Sequence, residues 1–253
     1  MAKIIDDLKK LYDAGEYSKC IEEAVRALAD IVDLHLFEAE EAEKWREVRN
    51  EIRVRMAWCY YKMQRYPEAK ADATEANTER GDELLAQIAA SVDKDFKALD
   101  RFRLKWPGNV GIANAWVTSA FNRTDVSHED VRAAAKFFGG KDKGRAGVNI
   151  IRNAGVFFFK NSRSQADLEE AGRYIQQAIE LWGTGASFDH RASAHGLASE
   201  VQEKLGKLIP ALGEAILSSD LWSVACERDP KNQAFSEKRK KASDRVRRLT
   251  DYI

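Results

Sequence analysis

Long apolar runs are missing from this chain. No window approaches the ~20 consecutive apolar residues that span a bilayer, and the opening Met1-Ala2-Lys3-Ile4-Ile5-Asp6-Asp7 lacks the apolar core of a secretory signal. A soluble, intracellular, cytoplasmic protein is expected. Cysteine is scarce: Cys20, Cys59 and Cys226 are an odd set of three with no CxxC spacing, which argues against both a disulfide framework and a metal site. Each sits among helix-forming residues beside apolar neighbours, where a thiol behaves as a small hydrophobe. Net charge is absent as well. Lys plus Arg and Asp plus Glu balance at 41 each, so no whole-molecule field steers the protein towards nucleic acid or a membrane, and electrostatic recognition must be read from a local patch.

Strand signals are nearly absent too, since no alternating apolar and polar stretch is bounded by an Asn-Gly or Asp-Gly turn. What the sequence does have is a 3.6-residue apolar period from end to end. The four prolines, Pro67, Pro107, Pro210 and Pro230, fall where one periodic segment stops or another starts, the places where the ring disturbs a helix least. An all-α fold is expected, with helices at 3–13, 17–36, 39–63, 67–77, 82–104, 110–122, 128–138, 145–160, 165–182, 190–205, 208–227 and 232–252. Connections this short make neighbouring helices antiparallel hairpins.

The chain also repeats itself. In the stretch around Gly15, Tyr17, Cys20, Ala24 and Ala27, a helix ends at a short turn, a tyrosine follows, a small residue stands three positions later and another seven beyond that. Tyr60, Tyr66, Ala69, Ala73 and Ala76 reproduce the pattern. These residues resemble the tetratricopeptide repeat (TPR), a helix-turn-helix unit of about 34 residues. Ala171 and Ala178 give a weaker copy, and the run from Ala198 through Gly206 and Ala211 to Ala215 gives a last one. The usual proline after the second helix is replaced by Val32 and Gly81 in the first two copies.

The resemblance implies antiparallel helix pairs stacked into a TPR-like, right-handed superhelical solenoid, irregular in the middle. It frames 1–253 as a single repeat domain, with clear repeats at 1–36 and 50–80, a degenerate stretch at 82–147, weaker repeats at 148–182 and 189–230, and a capping helix at 232–252. It further implies a protein-interaction module, a scaffold or adaptor, whose concave groove takes a peptide or helix of another protein. By alignment to the repeat the groove-facing positions are Lys9 and Tyr12 in the first copy, Val54, Arg55, Trp58, Tyr61 and Lys62 in the second, and Asn149, Arg152, Asn153, Val156 and Lys160 in the third. Asn149, Arg152 and Asn153 share one helix face, and amide plus guanidinium groups suit backbone amides or a carboxylate. The bland account is a solvated face beside Phe157-Phe158-Phe159; for Trp58 and Tyr61 it is packing on the next helix pair. Chaperone-tail-binding members of the family use a lysine and asparagine clamp, and Ile5 and Arg55 replace two of its members here.

One dense basic run stands near the C-terminus: Lys238, Arg239, Lys240, Lys241, Arg245, Arg247 and Arg248. Such a patch suits nucleic acid or an acidic protein, but no interleaved aromatics offer base stacking, and a solubilising cap on the array is the plainer account. The alternative to a groove is self-association through Trp106, Ile112, Trp116, Phe137 and Phe138. Catalysis and cofactor binding find no motif. Gly139 to Ala146 half resembles a phosphate-binding loop, but Arg145-Ala146 stands where Lys-Ser/Thr is required and no strand precedes it. His190 and His195 are five apart, off a common helix face, and His35 and His128 have no partner at metal-ligand spacing. Asn122-Arg123-Thr124 is a glycosylation sequon in letters only.

Overall fold

The computed structural model describes residues 2–31, 39–123, 125–140, 142 and 144–253. Val32, His35, the expected end of the second helix at 33–36, Thr124 of the sequon, and Lys141 and Lys143 of the glycine-rich loop lie outside the described residues. Among the described residues there are thirteen α-helices and no strand, and no helix is long and apolar enough to cross a membrane.

The chain divides into two compact units, Met1–Ala115 and Trp116–Ile253. In the first, α1 (Ala2–Asp13), α2 (Tyr17–Ala29), α3 (Ala39–Lys62), α4 (Tyr66–Ala76), α5 (Glu79–Ile88) and α6 (Phe96–Lys105) pack in chain order, and α7 (Val110–Ser119) crosses the division. In the second, α8 (His128–Phe138), α9 (Gly144–Lys160), α10 (Gln165–Trp182), α11 (Phe188–Lys204), α12 (Leu208–Arg228) and α13 (Gln233–Thr250) do the same.

Small residues set the distance within each hairpin. Cys20, Ala24, Ala69, Ala73, Ala171, Ala178, Ala211 and Ala215 are all buried, so the paired backbones approach closely and the larger residues fill the flanks. One cluster joins Leu8, Cys20, Ala24, Ile52 and Met56; a second joins Ala57, Ala69, Ala73, Leu84 and Ile88. In the second unit, Val148 and Ile151 meet Ala178, while Leu249 closes over Ala211 and Ala215. Gly155 marks a close crossing, since a Cβ there would stand 2.7 Å from Ile175 Cγ1 and 3.1 Å from the Ala171 carbonyl.

The repeat is also written in the backbone. Three hairpins turn through the same left-handed residue, Gly15, Gln64 and Gly206, with φ of 78, 60 and 73°. In each, that residue's N–H donates three residues back and the next N–H five residues back. The pairs are Gly15 to Tyr12 and Glu16 to Leu11, Gln64 to Tyr61 and Arg65 to Tyr60, Gly206 to Glu203 and Lys207 to Gln202, all within 2.8–3.0 Å. This double bond satisfies carbonyls that the ending helix leaves open.

One expectation needs correction. The helix anticipated at 82–104 is broken: after α5 comes a π-helical turn, Ala89–Asp93, then Lys94 at φ 58°, and α6 starts afresh under the Asp95 side chain, which accepts from Ala98 N–H at 3.0 Å. The Lys94 ammonium covers the exposed carbonyls of Ala90 and Ser91 at 3.3 and 2.8 Å, which makes the break stable without glycine or proline. The apolar residues anticipated for self-association divide between interior and surface. Ile112 and Trp116 are buried, the Trp106 indole donates to Asp82 at 2.7 Å, and Phe137 alone of the five is markedly exposed.

A Cβ on Gly206 would meet no heavy atom within 4 Å, so Gly206→Ala tests backbone conformation alone. It should destabilise the protein by about 1 kcal/mol, the penalty of a left-handed alanine. Gln64→Gly at the equivalent turn should stabilise it by about 0.5 kcal/mol after the entropy of the unfolded glycine is deducted. Urea unfolding midpoints check both.

Candidate functional site

The third set of groove positions and the basic run, far apart in sequence, meet in the second unit. A cavity of about 340 Å³ is walled by Arg152 and Val156 of α9, by Ser193, Gly196, Leu197 and Glu200 of α11, by Ala215 and Trp222 of α12, and by Lys238, Lys241 and Arg245 of α13. Buried hydroxyls tie its α11 and α12 walls together, with Ser218 donating to the Ala192 carbonyl and Ser199 to the Ala211 carbonyl, both at 2.8 Å.

Arg152 is its central charge. The side chain is half-buried, Nη1 donates to Asn153 Oδ1 and Nη2 to Ser193 Oγ, both at 3.1 Å. Its acceptors are neutral; among the described residues no carboxylate pairs with it. Burial pushes its pKa below the ordinary guanidinium value, yet a guanidinium starts so high that it stays charged at neutral pH. Asn153 is 6% exposed and spends its amide inside the fold, Nδ2 donating to Thr118 Oγ1 at 2.9 Å. It therefore positions Arg152 rather than facing the cavity. Asn149 is half-buried outside the cavity wall, and Lys160 is exposed with its ammonium 5.3 Å from the Phe121 ring.

α13 sorts its basic residues by face. Arg245 Nη2 pairs with Glu200 at 2.7 Å and its Nη1 donates to the Gly196 carbonyl at 3.1 Å. Arg248 pairs with Glu203, Nη2 to Oε2 2.9 Å. These two dock the helix on α11. Lys238 and Lys241, one turn apart, face the cavity, Lys238 lying 4.9 Å from the Trp222 ring. Arg239, Lys240 and Arg247 point to solvent, Arg247 near Asp244 at 3.8 Å.

The groove positions of the first unit are engaged in local packing. Tyr12 belongs to the Leu8 cluster, its ring 5.5 Å from Tyr17 and 5.9 Å beneath the Arg55 guanidinium. Arg55 pairs with Glu51 at 3.1 Å. Trp58 and Tyr61 lie against the Ala57 and Leu84 cluster, edge to face at 5.7 Å. Lys9 and Lys62 are exposed, whereas Val54 is buried in the core and faces no groove. The bland account given for the aromatic pair describes these contacts.

A larger cavity, about 630 Å³, opens beside the glycine-rich loop, lined by Arg145, Trp182, Ser187 and His190 among others. Arg145 Nη2 stands 2.7 Å from His190 Nε2, and His190 Nδ1 2.6 Å from Ser187 Oγ. A guanidinium only donates, so Nε2 accepts and the ring proton sits on Nδ1 facing Ser187. Ser187 is then an acceptor, not an activated nucleophile. His195 is separate, with Nδ1 at 2.6 Å from Glu214.

Position alone could have pointed to Arg152. The missed members, Ser193, Glu200 and Trp222, carry no local signal, because they enter through helices 41 to 70 residues away in the chain and only the fold assembles them.

No family model matches the chain, and no curated protein matches it. Among solved structures it is similar to a crystal structure described as a thermophilic TPR protein in Thermus thermophilus. The TM-score is 0.50 at 14% identity, covering 76% of this chain and 98% of that one. The likeness is one of fold: an all-helical, TPR-like array.

The Arg248 hydrogen bond holds the Glu203 carboxyl below its ordinary value of 4.5. A lowered carboxylate contributes stability above its unfolded pKa and loses it as pH falls through the folded one. Glu203→Gln should therefore weaken the protein at pH 7, with the difference from wild type shrinking as pH falls below 4.5 and through the lowered folded value. Chemical unfolding across that range measures it.

Proposed function

We propose that the chain is a protein-interaction module that takes a peptide or helix of a partner protein against the α9, α11 and α13 face of its second unit. The observation that carries this reading is the cavity of about 340 Å³, apolar at Val156, Leu197 and Trp222 and charged at Arg152. A few polar groups on an apolar wall is the usual make-up of a recognition site. Arginine is among the residue types that dominate binding energy at interfaces. The TPR-like array supplies the general setting, since such arrays present their first helices to a partner. Scaffolding or adaptor activity follows from such binding without chemistry on the ligand.

Val156→Trp places a bulky ring at the cavity wall. Peptides selected by wild type from a displayed library of random dodecapeptides should bind this variant at least about tenfold more weakly, a loss of roughly 1.4 kcal/mol. Fluorescence anisotropy reads the change, with circular dichroism checking that the helices persist. Peptides that bind both proteins equally place the interaction elsewhere.

A further inference from the structure

Charge around the cavity does not balance. Its wall carries Arg152, Lys238, Lys241 and Arg245 against a single carboxylate, Glu200, and Arg245 already takes that carboxylate at 2.7 Å. Three cationic groups are left facing the same small volume. Lys238 and Lys241 are exposed and hydrated, but Arg152 is half-buried and held only by the neutral oxygens of Asn153 and Ser193. A charge taken out of water calls for a counter-charge. Two of the five guanidinium donors are spent on these contacts, which leaves three for an incoming acceptor.

The shape narrows the ligand. About 340 Å³ holds one or two side chains, and Val156, Leu197, Trp222 and Ala242 make part of the wall apolar. Stacked nucleobases find no platform, because Trp222 is 4% exposed and base stacking needs an open ring face. An oxyanion on a short side chain, next to an apolar residue, matches both the charge and the wall.

We propose that this cavity is an oxyanion-recognition pocket for an acidic segment of a partner peptide. In it Arg152 grips the anion directly, and Lys238 and Lys241 supply its field from α13. The anion is a carboxylate or a phosphate carried by a side chain, with an apolar neighbour against Val156 and Leu197. α13 is then the cationic wall of a binding site rather than a solubilising cap. This assignment rests on the peptide-binding reading above.

The dodecapeptides selected by wild type should carry Asp or Glu close to an apolar residue. A fluorescent synthetic copy should lose at least about tenfold in affinity on Arg152→Gln, and a comparable amount on the double change Lys238→Gln, Lys241→Gln. Arg152→Gln removes a poorly solvated charge and should leave the fold intact; the lysines are exposed, so their variant keeps the test open even if it does not. Replacing the peptide's acidic residue by its amide should have the same effect, and combining that with Arg152→Gln should add little further loss, the mark of a direct contact. Phosphoserine at that position distinguishes the two sources: tighter binding assigns a phosphate, weaker binding a carboxylate. Selected peptides that depend on Val156 but contain no acidic residue, or that ignore Arg152→Gln, overturn the oxyanion assignment and leave the peptide groove standing. Displacement by oligouridylate in preference to any acidic peptide also overturns it. The absence of any cavity-dependent peptide removes the groove itself.

Discussion

Close approach of paired helices is the constraint from which the rest of this structure follows. Where Ala24, Ala73, Ala178 and Ala215 sit, nothing larger than a methyl group separates one helix from its partner. Gly155 removes even that, with Ile175 Cγ1 and the Ala171 carbonyl 2.7 and 3.1 Å from where its Cβ would be. Packing this tight is intolerant of added volume, so the rotation of each helix about its axis is fixed. Once α9 is locked on α10 through Gly155, Ile151 and Val148, Arg152 and Val156 are left on the neighbouring face of α9, turned towards α11 and α13. The position of the candidate site is thus a consequence of small residues that never touch it.

Electrostatics divides the surface left over. Ion pairs on exposed helix faces, such as Lys10 with Asp7 or Lys44 with Glu40, contribute little to stability. The pairs that cross between helices do more, because they fix relative placement: Arg53 with Asp72 from α3 to α4, Arg132 with Glu170 from α8 to α10, Arg245 with Glu200 from α13 to α11. Against this background Arg152 stands out. It has the burial of the structural arginines without their carboxylate, and its neutral holders, Asn153 and Ser193, orient the guanidinium without neutralising it.

Most of the fold could be read from the sequence, because helices and their pairing depend on local periodicity and on small residues at fixed spacing. Gly15 and Gly206 announce their turns, whereas Gln64 hides a turn of the same geometry, since glutamine gives no hint of a positive φ. The break at Lys94 was hidden for a similar reason: a lysine covering its own helix carbonyls takes the part usually signalled by glycine or proline. The site was half legible. Repeat alignment reached Arg152 and Val156, but treated Asn153 as their equal although its amide is spent on Thr118. The basic run was visible, yet its division into docking arginines and cavity-facing lysines depends on acidic partners 45 residues away on α11.

That division explains how one helix can serve two roles. α13 is mostly polar and buries only Leu249 completely, with Phe235, Ala242 and Val246 packed partly against α12. A helix with so narrow an apolar seam needs help to hold its register, and Arg245 and Arg248 provide it by pairing with Glu200 and Glu203. Those residues lie on the side of α13 that turns towards α11. Lys238 and Lys241 precede them along the same face, and the one carboxylate on the cavity wall, Glu200, is already taken by Arg245. The ion pairs that dock the helix therefore also aim its two unmatched lysines into the space beside Arg152. A cap that needed only solubility would have no reason to concentrate like charge on the face it turns inward, since charges facing one another across a small cavity repel unless an anion lies between them.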